Sequence, residues 1–355
     1  MKTVEMYLVS ASGQEAKGTI NLSGEKEYTF DEMINYKEGD RGFKVKAEDT
    51  YGYITISTLP VTYKTIPGPS LTLTESTIFA GTDVKKGVSM QIESVRGVHE
   101  VVIYRIENGS EVEALRETRS GEHTLNYAPE IDFTEATSKL KVVVSDGREG
   151  KEATGYVKAY VNMDVATLNV GSQPLANNAH EKYPDAFGMV SLNDLKTYSV
   201  DYAIANEANA KNIDFKFYCF GAAGSPRLYS MDNTGKDGEF SGSTGKLSAI
   251  KVKNLTRFAI LSNFDYENAT VTSISSEILS SSITQSLLDP IAVGNIIAFR
   301  TGGSSAAGGG RIGVMKVINI TEPKDLVSSN ATARVMTVEI KLPPKEVKML
   351  PFAMY

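Results

Sequence analysis

The chain has 355 residues, 41 % of them hydrophobic and 23 % charged, and its net charge is −6 at pH 7. This length suggests two or three domains with proper cores, and no apolar run approaches the roughly 20 residues that a membrane-spanning helix needs. The acidic balance excludes a nucleic-acid binder, which requires a basic face, and the single cysteine, Cys219, excludes an intrachain disulfide and a cysteine-cluster metal site.

The first half of the chain contains an internal repeat. Shifting the sequence by 97 positions aligns Val4–Asp49 with Val101–Asp146 without a gap, and ten of these 46 positions are identical. Each copy has apolar runs joined by turn residues such as Asn108-Gly109 and Asp146-Gly147, and neither copy has a helical periodicity. About seven short strands in roughly 95 residues predict an immunoglobulin-like β-sandwich.

The first copy is predicted to be incomplete at its N-terminus. The second copy is preceded by 27 residues, 71–97, for which the first copy has no counterpart. A sandwich without its first strands exposes apolar surface and a strand edge. We therefore expect the chain to start inside a domain and any export signal or lipid anchor to lie upstream of Met1.

The sequence predicts an all-β fold with minor helix in three domains. Residues 1–66 form the incomplete Ig-like sandwich, 67–165 form a second Ig-like sandwich, and 166–355 form a larger, β-sandwich-like domain that is expected to bind a ligand. Seven segments of this last region are predicted strands: Thr197–Ala205, Ile213–Phe220, Thr256–Ser262, Asn268–Ser275, Asn295–Thr301, Arg311–Thr321 and Ala333–Leu342. Two short helices are predicted at Asn206–Asn212 and, from a four-residue apolar spacing, at Ser275–Asp289.

Two glycine-containing motifs resemble phosphate-binding sequences but lack the required context. Gly308, Gly310 and Gly313 have the G-x-G-x-x-G spacing, yet the next residues are β-branched and predict a strand, whereas a dinucleotide site needs a helix N-terminus there. We therefore predict a hairpin loop. The segment Ser241–Leu247 lacks both the first glycine and the hydroxyl residue of a phosphate-binding loop, so we reject that interpretation too.

One acidic loop could be a calcium site. Asp232, Asn233, Asp237 and Glu239 lie close together among glycines, as calcium ligands do. Their spacing does not fit an EF-hand, and an exposed turn is the commoner structure for such a composition. Calcium binding stays open at this point, and no metal ligand is assigned.

No residue is assigned to catalysis. Cys219 alternates with Ile213, Phe215 and Phe217 on one face of a predicted strand, which predicts a buried structural thiol. A nucleophilic cysteine would need a histidine partner, and the chain has only three histidines. We therefore expect a protein that is not an enzyme and needs no cofactor.

Two segments resemble surface lipoproteins of the Bacteroides group, many of which are encoded beside polysaccharide-utilisation machinery. They are Val293–Thr301 paired with Arg311–Ile320, and Ala210–Asp232. The resemblance covers about half of the chain and concerns strand signatures. It implies export, a lipid anchor, a place outside the cell or on the outer membrane, and a role in binding surface glycans or in adhesion. It supplies no catalytic residues.

We accordingly expect a monomeric, non-enzymatic surface protein whose Ig-like spacers project a domain that binds extracellular polysaccharide. The alternative is a structural or adhesive protein whose third domain contacts other surface proteins through sheet edges. A sugar site needs an exposed aromatic ring beside polar groups, and two loops offer such residues. The predicted ligand-binding residues are Tyr183, Asp185, Arg227, Tyr229 and Asp232. In a competing interpretation, Tyr229 closes the end of the sandwich.

Overall fold

The computed structural model describes residues 1–31, 33–37, 39–62, 66–82, 85–219, 224–321 and 333–344. Strands dominate these ranges and only three short α-helices occur in them, so the predicted all-β fold is confirmed. The chain divides into two compact units, an N-terminal unit, Met1–Gly68, and a C-terminal unit, Pro69–Tyr355. None of the helices in the described ranges has the length and apolar character that crossing a lipid bilayer requires.

The N-terminal unit contains one antiparallel sheet with the strand order β2-β1-β3-β4. Its strands are β1 (Thr3–Ser10), β2 (Gly13–Asn21), β3 (Asp40–Glu48) and β4 (Ile54–Pro60). Every second residue of β1 points to the same face, and Val4, Met6 and Leu8 pack there against Phe43. Phe30 stacks on Phe43 and covers part of this face.

The C-terminal unit begins with an immunoglobulin-like sandwich. Its strands are β5 (Ser70–Leu73), β6 (Thr77–Ala80), β7 (Lys86–Gly87), β8 (Met90–Glu93), β9 (Glu100–Glu107), β10 (Ser110–Thr118), β11 (Thr124–Tyr127), β12 (Glu130–Ile131), β13 (Thr137–Ser145) and β14 (Glu152–Val161). The sheet β10-β9-β13-β14-β6 faces the sheet β11-β8-β5 across an aliphatic core. Strand β6 pairs in parallel with β14, whereas the other pairs are antiparallel.

The internal repeat is present strand for strand. Strands β1, β2 and β3 coincide with β9, β10 and β13 at the same 97-residue offset. A bulge in the edge strand also recurs, because Lys17 has no partner in β1 and Ala114 has none in β9. The described residues of the N-terminal unit form one four-stranded sheet, whereas the second copy has a five-stranded sheet, a three-stranded sheet and a short two-stranded pair.

The rest of the C-terminal unit is a second sandwich of two five-stranded sheets, β15-β24-β23-β22-β20 and β17-β16-β18-β19-β21. Its strands are β15 (Asp164–Gly171), β16 (Met189–Ser191), β17 (Lys196–Tyr198), β18 (Phe215–Tyr218), β19 (Arg227–Ser230), β20 (Arg257–Leu261), β21 (Leu287–Leu288), β22 (Ile296–Arg300), β23 (Ile312–Ile320) and β24 (Val335–Leu342). Phe215, Phe217 and Phe299 pack in the core between the sheets. Strand β15 crosses the predicted domain boundary between residues 165 and 166.

Three helices lie on the outer faces of these sheets: α1 (Val200–Ala205), α2 (Glu207–Lys211) and α3 (Val271–Glu277). The helix predicted at Asn206–Asn212 is confirmed as α2. The strand predicted over Thr197–Ala205 is wrong beyond Tyr198, because the Ser199 side chain accepts a hydrogen bond from the Tyr202 amide and starts α1.

The predictions around the third helix are also wrong. The predicted strand Asn268–Ser275 contains most of α3, which begins with a capping box between Thr270 and Ser273. The helix predicted over Ser275–Asp289 ends at Glu277, and the chain then passes through a 3-10 turn into β21. Capping side chains, rather than the apolar spacing, set the limits of this short helix.

Candidate functional site

The first predicted sugar-binding loop is partly engaged by the protein itself. Tyr183 is half-buried against a small apolar cluster that includes Leu175 and Val335. The carboxylate of Asp185 is exposed, while its main-chain carbonyl accepts a hydrogen bond from the Thr197 hydroxyl. The loop therefore offers one free carboxylate beside a ring that is only half accessible.

The second predicted loop provides no aromatic platform. Tyr229 is 4 % exposed and its ring meets Tyr218 edge-on at 5.9 Å within the cluster beneath α1 and α2. Tyr229 is therefore buried on the outer face of its sheet, under the helices and not at an end of the sandwich, and the stacking role expected for it is wrong because no face of the ring is free. The two tyrosines also belong to different apolar clusters.

The charged residues of the second loop are paired within the chain. The Arg227 guanidinium lies 2.9 Å from the Asp289 carboxylate. Two guanidinium nitrogens of Arg257 each lie 2.8 Å from an oxygen of Asp232, and this ion pair lowers the pKa of the Asp232 carboxyl although burial opposes the shift. A sugar would have to displace these partners.

A lysine occupies the acidic loop that could have held calcium. The Lys216 ammonium lies 2.5 Å from one Asp237 carboxylate oxygen and 3.0 Å from the Asn233 carbonyl, and Lys253 lies 3.3 Å from the other Asp237 oxygen. Lys216 is fully buried, and this burial lowers its pKa. Within the described ranges no group of three or more His, Cys, Asp or Glu residues could hold a metal ion.

The glycine-rich segment is a hairpin connection, as predicted. Strands β22 and β23 pair on either side of it, so no helix N-terminus faces the glycines. Its Ser305 hydroxyl donates to the buried Asp214 carboxyl at 2.6 Å, and Ser304 donates to Asn254 at 2.6 Å. Burial raises the pKa of Asp214 to about 7. The loop therefore seals one end of the sandwich over an acidic group.

The main-chain amides of the segment Ser241–Leu247 also form hydrogen bonds within the protein. The amides of Ser243 and Thr244 each donate to the Asp201 carboxylate at 3.0 Å, and these bonds hold the pKa of Asp201 well below its usual range. An internal carboxylate thus occupies the place of a phosphate. This contact fastens the loop to the start of α1.

Cys219 is buried, as predicted. It shares a core cluster with Phe215 and Phe217, and its thiol donates to the Gly224 carbonyl at 3.2 Å. The surroundings are apolar, which disfavours the thiolate and any nucleophilic role.

The N-terminal unit carries one shallow cavity of about 340 Å³. It lies at the turn between β1 and β2 and is lined by Leu8 and residues 10–15, together with Lys37, Gly39 and Asp40. The Asp40 carboxylate already accepts a hydrogen bond from the Lys37 amide at 2.7 Å. The cavity has neither a nucleophile with a base nor an aromatic wall.

The most distinctive surface is the outer edge of β4, which we call the β4 edge and define as Ile54–Pro60. All seven residues are exposed, and none of them is charged. Ile54 is 54 % exposed and Ile56 is 55 % exposed. In the described part of the chain β4 pairs only with β3. The Val61 amide donates to Arg41 in β3, so the alternating ladder leaves the main-chain groups of residues 54, 56 and 58 pointing outward.

The repeat allows the exposure of this strand to be compared with its counterpart in the second copy. Leu59 pairs with Phe43 as Val157 pairs with Leu140, so Leu59 and Val157 are equivalent positions. Val157 is 1 % exposed and packs in the core between two sheets, whereas Leu59 is 63 % exposed. Among the described residues, the β4 edge therefore presents apolar side chains on both faces of a strand that is paired on one side only.

Other edge strands carry charges that discourage pairing with another chain. Strand β2 contains Glu15 and Lys17, and β10 contains Glu111, Glu113 and Arg116. The β4 edge lacks this protection, and only Pro60 interrupts its donors. The sequence analysis expected an open strand edge in the first copy, but it did not identify the uncharged stretch "ITISTLP" as a site and placed sheet-edge contacts on the third domain.

No family model and no curated protein matches the chain. Among solved structures, it is similar to fibronectin(III)-like modules of Clostridium thermocellum CbhA, with 16 % identity over 45 % of this chain and 77 % of that chain and a TM-score of 0.24. It is also similar to the titin domains z1z2, with 13 % identity over 45 % of this chain and 81 % of that chain and a TM-score of 0.22. A third similar structure is Dpr2 Ig1-Ig2 in complex with DIP-Theta, with 9 % identity over 45 % of this chain and 54 % of that chain and a TM-score of 0.22. The chain thus spans about half the length of the chain matched in the Dpr2 complex. These scores add nothing to the architecture that the sheets define.

Proposed function

We propose that this protein is a non-enzymatic adhesive or structural protein that contacts other polypeptides through the β4 edge, with its Ig-like sandwich as a spacer. The observation that carries the proposal is an exposed, uncharged, apolar strand with unpaired main-chain donors and acceptors. An extended polypeptide adds to such an edge through main-chain hydrogen bonds, and alternate side chains give specificity.

Carbohydrate binding, the first expectation from the sequence, has weaker support. Of its five residues, Tyr229 is in the core, and Arg227 and Asp232 are ion-paired. Of the remaining two residues, Tyr183 is half-buried and Asp185 is exposed, and they lie on a single loop. A sugar platform needs a free aromatic face.

We further propose that the protein works outside the cell or on the outer-membrane surface. This location rests on the resemblance of Ala210–Asp232 and Val293–Thr301 to Bacteroides-group surface lipoproteins. An adhesive role through a sheet edge fits that location.

The experiment compares the whole chain with two single variants on arrays of extracellular-matrix and bacterial surface proteins that also carry the wild-type chain itself, and on a glycan array. Ile56→Lys places a charge at the centre of the β4 edge. Thr154→Lys is the matched control, because Thr154 is the equivalent, exposed position of β14. We expect protein binding that Ile56→Lys weakens about tenfold or more, which is roughly 1.4 kcal/mol, and that Thr154→Lys leaves unchanged.

Circular dichroism would verify that both variants are folded. Protein binding that survives Ile56→Lys would overturn the proposal. Glycan binding that Tyr183→Ala abolishes, without any protein binding, would establish the carbohydrate alternative instead.

A further inference from the structure

We infer that the partner of the β4 edge is a second copy of the same chain, joined by antiparallel pairing of β4 with β4. This inference rests on the proposed function and names its partner. It replaces the monomer expected from the sequence. The self-complementary order of the residues along the strand carries it.

The longest register places a two-fold axis at Ile56. Ile56 then faces Ile56 of the other copy, and Ile54 faces Thr58, so the outward main-chain groups of all three residues are paired. β-Branched side chains in such cross-strand pairs stabilise a sheet. Pro60 lacks an amide hydrogen and ends the ladder one step further on.

The same register covers two exposed apolar side chains at the ends of the edge. Leu59 is 63 % exposed and Tyr53 is 76 % exposed. With Ile56 opposite itself, Leu59 of one copy lies opposite Tyr53 of the other, in a closely spaced non-hydrogen-bonded pair. The contact occurs twice by symmetry, and it is made on the face opposite to the isoleucines.

Charges on β3 favour the antiparallel arrangement over the parallel one. Lys44 lies beside Thr58, and Glu48 lies beside Ile54. Antiparallel pairing therefore puts Lys44 and Glu48 at the two ends of each outer row of side chains. Parallel pairing would instead put Lys44 in the same row as Lys44 of the other molecule, and Glu48 in the same row as Glu48 of the other molecule. Like charges would then be aligned.

The central row of side chains, which runs through Ile56, contains one lysine of each molecule, and their repulsion is weak. It places the Lys46 side chains of the two copies about 14 Å apart, three strand spacings, which exceeds the Debye length at physiological salt. Each Lys46 ammonium also lies 3.0 Å from a Glu5 carboxylate of its own sheet. The like charges are therefore compensated locally.

Sedimentation of the whole chain over a concentration series tests the inference. We expect a monomer–dimer equilibrium that Ile56→Lys shifts about tenfold or more toward monomer and that Thr154→Lys leaves unchanged. A wild-type protein that stays monomeric up to about 100 μM, or a dimer that persists in Ile56→Lys, would overturn it. A monomer that still binds surface proteins through Ile56 would refute the second copy and leave the proposed function intact.

Disulfide trapping tests the register without relying on lost association. In the proposed dimer the Cα atoms of facing Ile56 residues are about 5.5 Å apart, within the range of a disulfide. Ile56→Cys should give a covalent dimer on mild oxidation, and Thr154→Cys should not. Equal yields of covalent dimer from the two variants would overturn the register, because random collision between molecules would then explain both disulfides. The native Cys219 is buried and should not contribute.

Discussion

The Lys216 ammonium and the Asp237 carboxylate lie 2.5 Å apart, and solvent reaches neither side chain. Removing one partner of such a pair leaves the other charge buried with less compensation. We predict that Lys216→Met lowers the free energy of unfolding by about 3 kcal/mol in urea denaturation. The matched variant Lys253→Met, at the more exposed partner of the same carboxylate, should cost at most about 1 kcal/mol.

The double variant Lys216→Met/Asp237→Leu should recover much of the loss, because both buried charges are removed and Lys253, which also loses its partner, is partly exposed to solvent. Added calcium should not raise the melting temperature of the wild-type protein, because Lys216 already occupies the oxygen ligands. A calcium-dependent rise would show that the lysine is displaced, contrary to this account.

The buried lysine Lys341 should make the folded protein more stable as the pH rises into the alkaline range. It is fully buried, its ammonium faces the Tyr266 ring at 4.2 Å and the Tyr160 ring at 5.3 Å, and burial lowers its pKa to about 8. In the unfolded chain the group keeps a pKa near 10.5. Between these values the unfolded state binds more protons, so the free energy of unfolding should rise with pH, by up to about 3 kcal/mol.

Denaturation curves of wild type and Lys341→Met from pH 7 to pH 10.5 would measure this rise. The variant should lack it, whereas Lys316→Met, at a partly exposed lysine near the same tyrosine, should keep it. Identical slopes for wild type and Lys341→Met would contradict the assignment.

The buried carboxyl of Asp214 should make the folded protein less stable as the pH rises through the acidic range. Burial raises its pKa to about 7 from an ordinary value of 3.8, so the folded state binds more protons between these values. Stability contributed by this group should therefore fall as pH rises from 4 to 7. Asp214→Asn should remove that slope and raise the free energy of unfolding at pH 8 by roughly 1–3 kcal/mol, measured by urea denaturation. A destabilised variant at pH 8 would mean that the hydrogen bonds from Ser305 and Leu192 require the carboxylate.

Cys219 predicts resistance to thiol reagents. Because the side chain is buried in the core, labelling of the native protein should be slow and should become rapid only in denaturant. The folded protein with an exposed engineered thiol, Thr154→Cys, serves as the reactive control. Fast native labelling at Cys219 would show that the core opens there.

Much of the strand framework was predictable from the sequence, and the failures have local causes. The repeat located β1 and β9 because identical residues recur at one offset along the whole copy. Short helices such as α3 escaped because the capping hydrogen bonds at Thr270, rather than periodicity, fix where they begin.

Long-range contacts explain the failures at the site. Lys216 alternates with core phenylalanines in β18, and nothing local shows that the other face of the strand meets Asp237. The same is true of Tyr229, whose burial depends on α1 and α2 packing over its sheet. Sequence patterns showed which residues alternate, but not which layer covers each face.

The bulge at Lys17 has a consequence for the protein in concentrated solution. An extra residue in β2 twists that strand locally, so the far edge of the sheet does not match an incoming straight strand. A sheet that can pair with other chains at both edges can grow into a fibre. A sheet that can pair at only one edge forms a particle of fixed size. At high concentration the association of this protein should therefore saturate at a fixed size, with a clear solution instead of a gel.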